Sequence, residues 1–205
     1  MARDLTPIVK QSRREGFALA SKAHKILARK SSPPGKKPGD RIGKGGLYLT
    51  QLREKQKVRR LYGLLEKQFA NLMKEASAAE GLSGENLLKF LELRMDNVVF
   101  RAGFALSRRA SRQLVGHGHF LLNGRRVDIP SIRLNAGDII EVRPKSKSSS
   151  YFKQLTDIVA AADAQPLGWI KTDVKNMKIE IVGTPKREEI EAGINEQLIV
   201  EFYSR

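Results

Sequence analysis

The stretch from Ser107 to Val142 leaves the backbone the fewest choices. Ser107 is a favoured N-cap, and the residues after it predict a short helix running to Val115 and closed by Gly116. Phe120, Leu121 and Leu122 then lead into Asn123-Gly124, the strongest short hairpin signal, and Arg125, Arg126 and Val127 begin the return strand. A second turn, Asn135-Ala136-Gly137-Asp138, precedes a third strand over Ile139 to Val142. Ala110, Leu114 and Val115 can face a core, while Arg108, Arg109 and Arg112 gather on the outer side of the helix. Their charge has no acidic partner at helical spacing, since positions 104, 105, 113 and 116 are Phe, Ala, Gln and Gly. Such arginines are better explained by an external phosphate than by intrahelical ion pairs.

Charge points the same way. The 205 residues carry a net charge of +16, yet 40% of them are hydrophobic, enough for a core. Residues 1–60 hold 17 Lys and Arg against four acids, and residues 92–147 hold 11 against five. Solvated faces normally mix signs, so two one-signed blocks read as a footprint for a polyanion. The second block contains nine arginines and two lysines, and the planar guanidinium suits phosphate and base edges.

The rest of the chain reads more coarsely. Ser12 with Glu15 forms a capping-box pattern, and Phe17, Ala20, Ala23 and Leu27 follow at helical spacing. Residues 31–46, with three prolines and five glycines, predict a basic loop, either a linker or a segment embedded in RNA. It lacks the Gly-Lys-Ser/Thr ending of a nucleotide loop. One long helix is expected from Leu49 to Ala79, and another from Ser83 to about Gly103. Their apolar stripes read as core. In the tail, a helix is expected over Tyr151 to Ala162, strands over Trp169 to Lys171 and Met177 to Val182, and a short acidic helix from Lys186 to Glu191. The alternation of Leu198, Val200 and Phe202 reads as a half-buried strand.

Several chemistries are excluded. Without cysteine there is no disulfide, thiol nucleophile, iron–sulfur cluster or thiolate zinc site. His117 and His119 flank Gly118, an arrangement unsuited to one zinc, so no metal is expected. No nucleophile-elbow pattern is present, and Asp96-Asn97 reads as a helix-surface pair bonding to the adjoining turn, so no catalytic residue and no cofactor is expected. No apolar run approaches a membrane span of roughly 18 residues, and no apolar signal core opens the chain, so it is expected to be soluble and intracellular.

The motif Gln51-Leu52-Arg53-Glu54-Lys55-Gln56-Lys57-Val58-Arg59-Arg60-Leu61-Tyr62-Gly63, followed by Glu66 to Phe69, closely resembles the bacterial and plastid family of small-subunit ribosomal protein four. So do Leu93 to Arg101, Gly103-Phe104, Arg112 to Gly118, Asn123 to Val127, Ser12 to Gly16 and Ile194 to Arg205. The likeness runs in order from end to end. The module at 92–147 also resembles one attached to pseudouridine synthases and a tyrosyl-tRNA synthetase. Two departures stand out. Many family members bind zinc through N-terminal cysteines, and Pro7 to Ser31 has none, which implies a zinc-free variant. The loop has Pro34-Gly35, but Lys37-Pro38-Gly39 replaces the His-Gly of the family pattern.

The expected fold is α+β: a basic segment over 1–46, a helical domain over 47–91 completed by 148–205, and an RNA-binding module of helix, helix, hairpin and strand inserted at 92–147. The resemblance implies a structural constituent of the small ribosomal subunit, not an enzyme. It would bind the five-prime domain of small-subunit (16S-type) rRNA early in assembly. It would also sit beside ribosomal protein five at the messenger entrance and influence decoding accuracy. The implied location is the cytoplasmic ribosome, or the plastid stroma for a plastid-encoded chain. Direct RNA contact is expected at Arg3, Lys10, Arg13, Arg14, Arg53, Lys57, Arg60, Arg108, Arg109, Arg112, Arg125 and Arg126. Two alternatives are an RNA-modifying enzyme using the same module and a generic DNA-compacting protein. Little chain remains outside the resemblance for a catalytic domain, and preference for duplex DNA over folded RNA would mark the second.

Overall fold

A computed structural model describes residues 4–30, 32–35, 45–162 and 167–205. Arg3 and most of the basic loop lie outside the described residues. Eleven α-helices are described: α1 (Ile8–Glu15), α2 (His24–Arg29), α3 (Leu47–Leu61), α4 (Glu66–Ala78), α5 (Ser83–Glu92), α6 (Met95–Arg101), α7 (Arg108–Gly116), α8 (Pro144–Lys147), α9 (Ser150–Lys153), α10 (Leu155–Ala162) and α11 (Glu196–Tyr203). Five strands are β1 (Phe120–Leu122), β2 (Arg125–Val127), β3 (Ile139–Val142), β4 (Ile170–Asp173) and β5 (Lys178–Ile181). Among the described residues no helix is long and apolar enough to cross a membrane. The fold is α+β, in two compact units: residues 1–87 with 192–205, and residues 88–191.

The first unit is helical. Ser12 is not a cap but an interior residue of α1: its hydroxyl donates to the Ile8 carbonyl at 2.8 Å and accepts the Leu19 amide at 3.2 Å. The helix stops at Gly16, whose φ of +63° is the left-handed C-terminal conformation. The single helix expected over 49–79 is two. Gly63 at φ +66° breaks it and turns Leu64 into the core, where it is 1% exposed. Val58, Leu61, Phe69, Met73 and Ile199 are buried in this unit.

The C-terminal segment expected as a strand is the helix α11, packed on α3. Asn195 caps it, its side-chain oxygen accepting the Gln197 and Leu198 amides. Period-two alternation over five residues is compatible with a helix whose buried residue is Ile199, and the cap decides between them.

In the second unit the strands form one antiparallel sheet ordered β2-β1-β3-β5-β4. The helix expected from Ser83 to Gly103 is broken at Leu93-Arg94, where Arg94 is extended. The loop after β2 meets this break: Met95 donates its amide to Ile132 at 2.9 Å, and Leu134 donates to Leu93 at 2.9 Å. Ser107 caps α7 as expected, its hydroxyl oxygen accepting the Ala110 amide at 3.2 Å. Ser107→Ala should lower the stability of this unit by about 1 kcal/mol in a denaturant melt.

The expected boundary at 147 does not coincide with the structural division. The described residues of 148–191 pack with the module, because β5 pairs with β3 (Ile140 opposite Ile179). Phe152, Leu155, Trp169, Ile179 and Ile181 share one core with Met95, Val98, Val99, Phe104, Val115, Phe120 and Ile140. The acidic segment near 186–191 is a single 3-10 turn, Arg187–Glu189, and the Glu189 carboxylate accepts the amides of Gly168 and Lys186.

Candidate nucleic-acid interface

In the second unit the arginines sort into two kinds. Asp96 and Asn97 are not a surface pair but are 4% and 2% exposed. Asp96 takes the Arg94 guanidinium side-on at 3.0 and 2.8 Å, and its second oxygen also accepts from Arg112 at 3.2 Å. Its backbone carbonyl accepts the Ser111 hydroxyl. Asn97 donates to the Glu92 carboxylate at 2.7 Å and accepts from Arg108 at 2.9 Å. Arg101 pairs bidentately with Glu92 at 3.0 and 2.7 Å, and both Arg101 and Arg108 reach Glu191. This network ties α5, α6 and α7 to the residue that ends the unit. Hence Arg108 and Arg112 do have acidic partners, supplied by α6 and by the tail rather than by their own helix. Spacing within α7 could not reveal them.

Arg109 of α7 is exposed, as are Arg125 and Arg126 of β2. The hairpin that carries the last two is rigidly held. Asn123 and Gly124 both have positive φ, +48° and +78°, as a type I′ turn requires. The Asn123 side chain donates to Asp138 at 2.8 Å and accepts the Ile139 amide at 2.9 Å, fastening the turn to the start of β3. The Arg126 guanidinium lies so close to Gly118 that a Cβ there would sit 2.8 Å from it, and Gly118 itself has φ +70°. Only glycine suits that place.

The outward face of the sheet is different. Glu141 sits opposite Lys178, and their side chains pair at 3.5 Å. Lys171 is registered opposite Glu180 and Asp173 opposite Lys178. Alternating signs suit water rather than a polyanion. His119, just before β1, contacts the Ser146 hydroxyl at 3.0 Å. Burial holds its pKa below the usual imidazole value, with His117 and Arg143 adding to the effect.

In the first unit the expected residues also divide. Lys10 and Arg14 are exposed. Arg13 donates to the Ser32 carbonyl at 3.0 Å. Lys57 pairs with Glu54 at 2.8 Å and donates to the Gly193 carbonyl at 2.6 Å. Arg53 and Arg60 both reach Glu15. Lys55, not among the expected contacts, is buried: it bonds to Glu66 at 2.6 Å and lies 4.3 Å from the centre of the Phe202 ring. Tyr203 also donates to Glu66, and burial with that bond pushes its phenol far above the ordinary range. Among the described residues no group of three or more His, Cys, Asp or Glu is placed to hold a metal ion.

A helical domain that carries a basic module of two helices and a hairpin defines a class of RNA-associated protein, and the comparisons with known proteins agree. Residues 3–92 match the family described as Ribosomal protein S4/S9 N-terminal domain, and residues 93–140 match the S4 domain. The chain is 48% identical over 206 residues to the small ribosomal subunit protein uS4 of Chlorobium phaeovibrioides, 49% identical to that of Pelodictyon phaeoclathratiforme and 47% to that of Chloroflexus aurantiacus, with all of each chain covered. The chain belongs to the small ribosomal subunit protein uS4 family.

Proposed function

We propose that the chain is a structural, non-enzymatic component of the small ribosomal subunit that binds its rRNA, at the five-prime domain and early in assembly. Beside ribosomal protein five it lines the messenger entrance and influences decoding accuracy. Its place is then the ribosome, in the cytoplasm or in a plastid stroma. The observation that carries this reading is likeness to ribosomal proteins across both units, not in the module alone. A modifying enzyme would share the module and differ elsewhere.

Direct phosphate contacts are assigned to Lys10, Arg14, Arg109, Arg125 and Arg126, whose side chains are exposed, and to Arg53 and Arg60, considered below. Arg108 and Arg112 brace the module internally. Phosphate contacts release counterions, so affinity for folded RNA should fall linearly on a log–log plot against salt, with a slope steeper than about −4. A transcript of the five-prime domain titrated at several salt concentrations gives that slope; a flat line would remove the electrostatic account. Co-sedimentation with small subunits and a footprint on the five-prime domain test the assignment, and a preference for duplex DNA in competition would favour compaction instead.

A further inference from the structure

We propose that Glu15 is a positioning residue for RNA binding, holding Arg53 and Arg60 as one convergent guanidinium pair that takes a phosphate of the bound RNA. The proposal rests on the reading that the chain binds RNA.

Glu15 occupies an unfavourable place. It lies in the last turn of α1, where the helix dipole favours cations, and its side chain is 0% exposed. Arg53 and Arg60 stand seven residues apart on one face of α3, about 10 Å along the axis. Left alone, two such side chains would repel and sample many rotamers. Glu15 draws them together on a single oxygen: its Oε1 accepts from Arg53 Nη1 at 3.3 Å and from Arg60 Nη1.

The pairing differs from the braces of the second unit. Arg94–Asp96 and Arg101–Glu92 are bidentate, each carboxylate filling one edge of a guanidinium. Glu15 takes only Nη1 from each partner. Arg53 Nε, Arg60 Nε and Glu15 Oε2 are buried with no hydrogen-bond partner. One carboxylate faces two cations, so the pair keeps a net positive charge and unused donors. Arg53 keeps 36% of its side chain exposed, which leaves the pair a route to a ligand. A phosphate, with several acceptor oxygens and matching charge, completes such a pair. Fixing the two forks in advance removes the ordering entropy that binding would otherwise cost.

The charged groups acting on Glu15 are Arg14 on its own helix and Arg53, Arg59 and Arg60 on α3, while Asp4 before α1 acts on Arg59 and Arg60. Burial pushes the Glu15 carboxyl above the ordinary range, against the pull of Arg53, Arg60, Arg14 and Arg59. Protonation, brought to a higher pH by burial, frees the arginines. Gaining positive charge in acid favours binding to a polyanion in general, so a loss on acidification has the opposite sign from the general effect.

The experiment measures binding of a five-prime-domain rRNA transcript to the full chain at fixed salt, from about pH 8 to about pH 5. E15Q should bind at least about tenfold more weakly at neutral pH. Wild-type affinity should fall toward that of the variant on acidification, while E15Q shows no such fall. R53K/R60K, which keeps charge but loses the planar forks, should show a similar loss, and adding E15Q to it should cost nothing more. E15Q binding as tightly as wild type, or more tightly, overturns the proposal, as do losses that simply add. Where E15Q fails to fold, the comparison of wild type with R53K/R60K decides, since equal pH profiles overturn it. A wild-type chain that binds no RNA overturns the broader reading and this proposal with it.

Discussion

Asp96→Ala should lower the stability of the 88–191 unit by about 3–5 kcal/mol. The carboxylate is 6% exposed and serves two arginines that are themselves 6% and 11% exposed. Alanine takes from Arg94 the carboxylate that fills one edge of its guanidinium and removes the same carboxylate from Arg112, in surroundings that screen charge poorly. Removing a buried carboxylate shared by two guanidinium groups is among the few single changes that reach this size. The measurement is direct, because the chain has one tryptophan, Trp169, and it is buried in the same unit, 3% exposed. Its fluorescence follows this unit during a urea melt of the whole chain. Asp96→Asn keeps the shape and one set of hydrogen bonds, so it should fall between wild type and alanine. A change below about 1 kcal/mol for alanine would show that water reaches both guanidinium groups and that the network contributes little.

What the sequence disclosed, and what it hid, follows from the range of the interactions. Ser107 and Asn123-Gly124 were legible because their structural effect is local: a hydroxyl reaching an amide three residues on, and two residues with positive φ. The α5–α6 break was not legible. Arg94 has no breaker chemistry, and the kink exists because residues 130–134 bond to the freed backbone there. Gly63 was visible as a residue, yet only the burial of Leu64 makes it a turn rather than a tolerated helical glycine. The packing of the tail was hidden for the same reason. The pairing of β5 with β3 joins residues about forty apart, and nothing in the composition of 148–191 announces it.

The arginines show the limit most clearly. Counting acids at helical spacing tests only a residue's own helix, whereas Arg112 is neutralised from position 96 and Arg108 from position 191. Asp96-Asn97 lies within the sequence motif that carries the family likeness, and its buried role accounts for the motif in physical terms. Residues of identical type, four positions apart at most, thus have unlike duties: Arg108 and Arg112 hold the helix, and Arg109 between them is exposed.

That division yields opposite expectations for two variants of the same unit. Replacing Arg109, Arg125 and Arg126 together with glutamine should weaken RNA binding by about a hundredfold, about 2.8 kcal/mol, and leave stability within about 1 kcal/mol. Glutamine preserves most of the helix propensity at 109, and Arg125 and Arg126 lie on an edge strand whose register is fixed by Asn123 and Gly124 rather than by their charge. Each removed phosphate contact should also flatten the salt slope by roughly 0.7–0.9. R108Q/R112Q should do the reverse. It leaves Asp96 with Arg94 alone and Glu191 with Arg101 alone, and it costs roughly 3 kcal/mol of stability by removing Arg112 from buried Asp96 and Arg108 from buried Asn97. Its RNA affinity should drop only with the folded fraction. Trp169 fluorescence and RNA titration on the same preparations separate the two. If R108Q/R112Q stayed stable but lost RNA binding with a flatter salt slope, those arginines would be contacts that trade Asp96 and Glu191 for phosphate, and the division would be wrong.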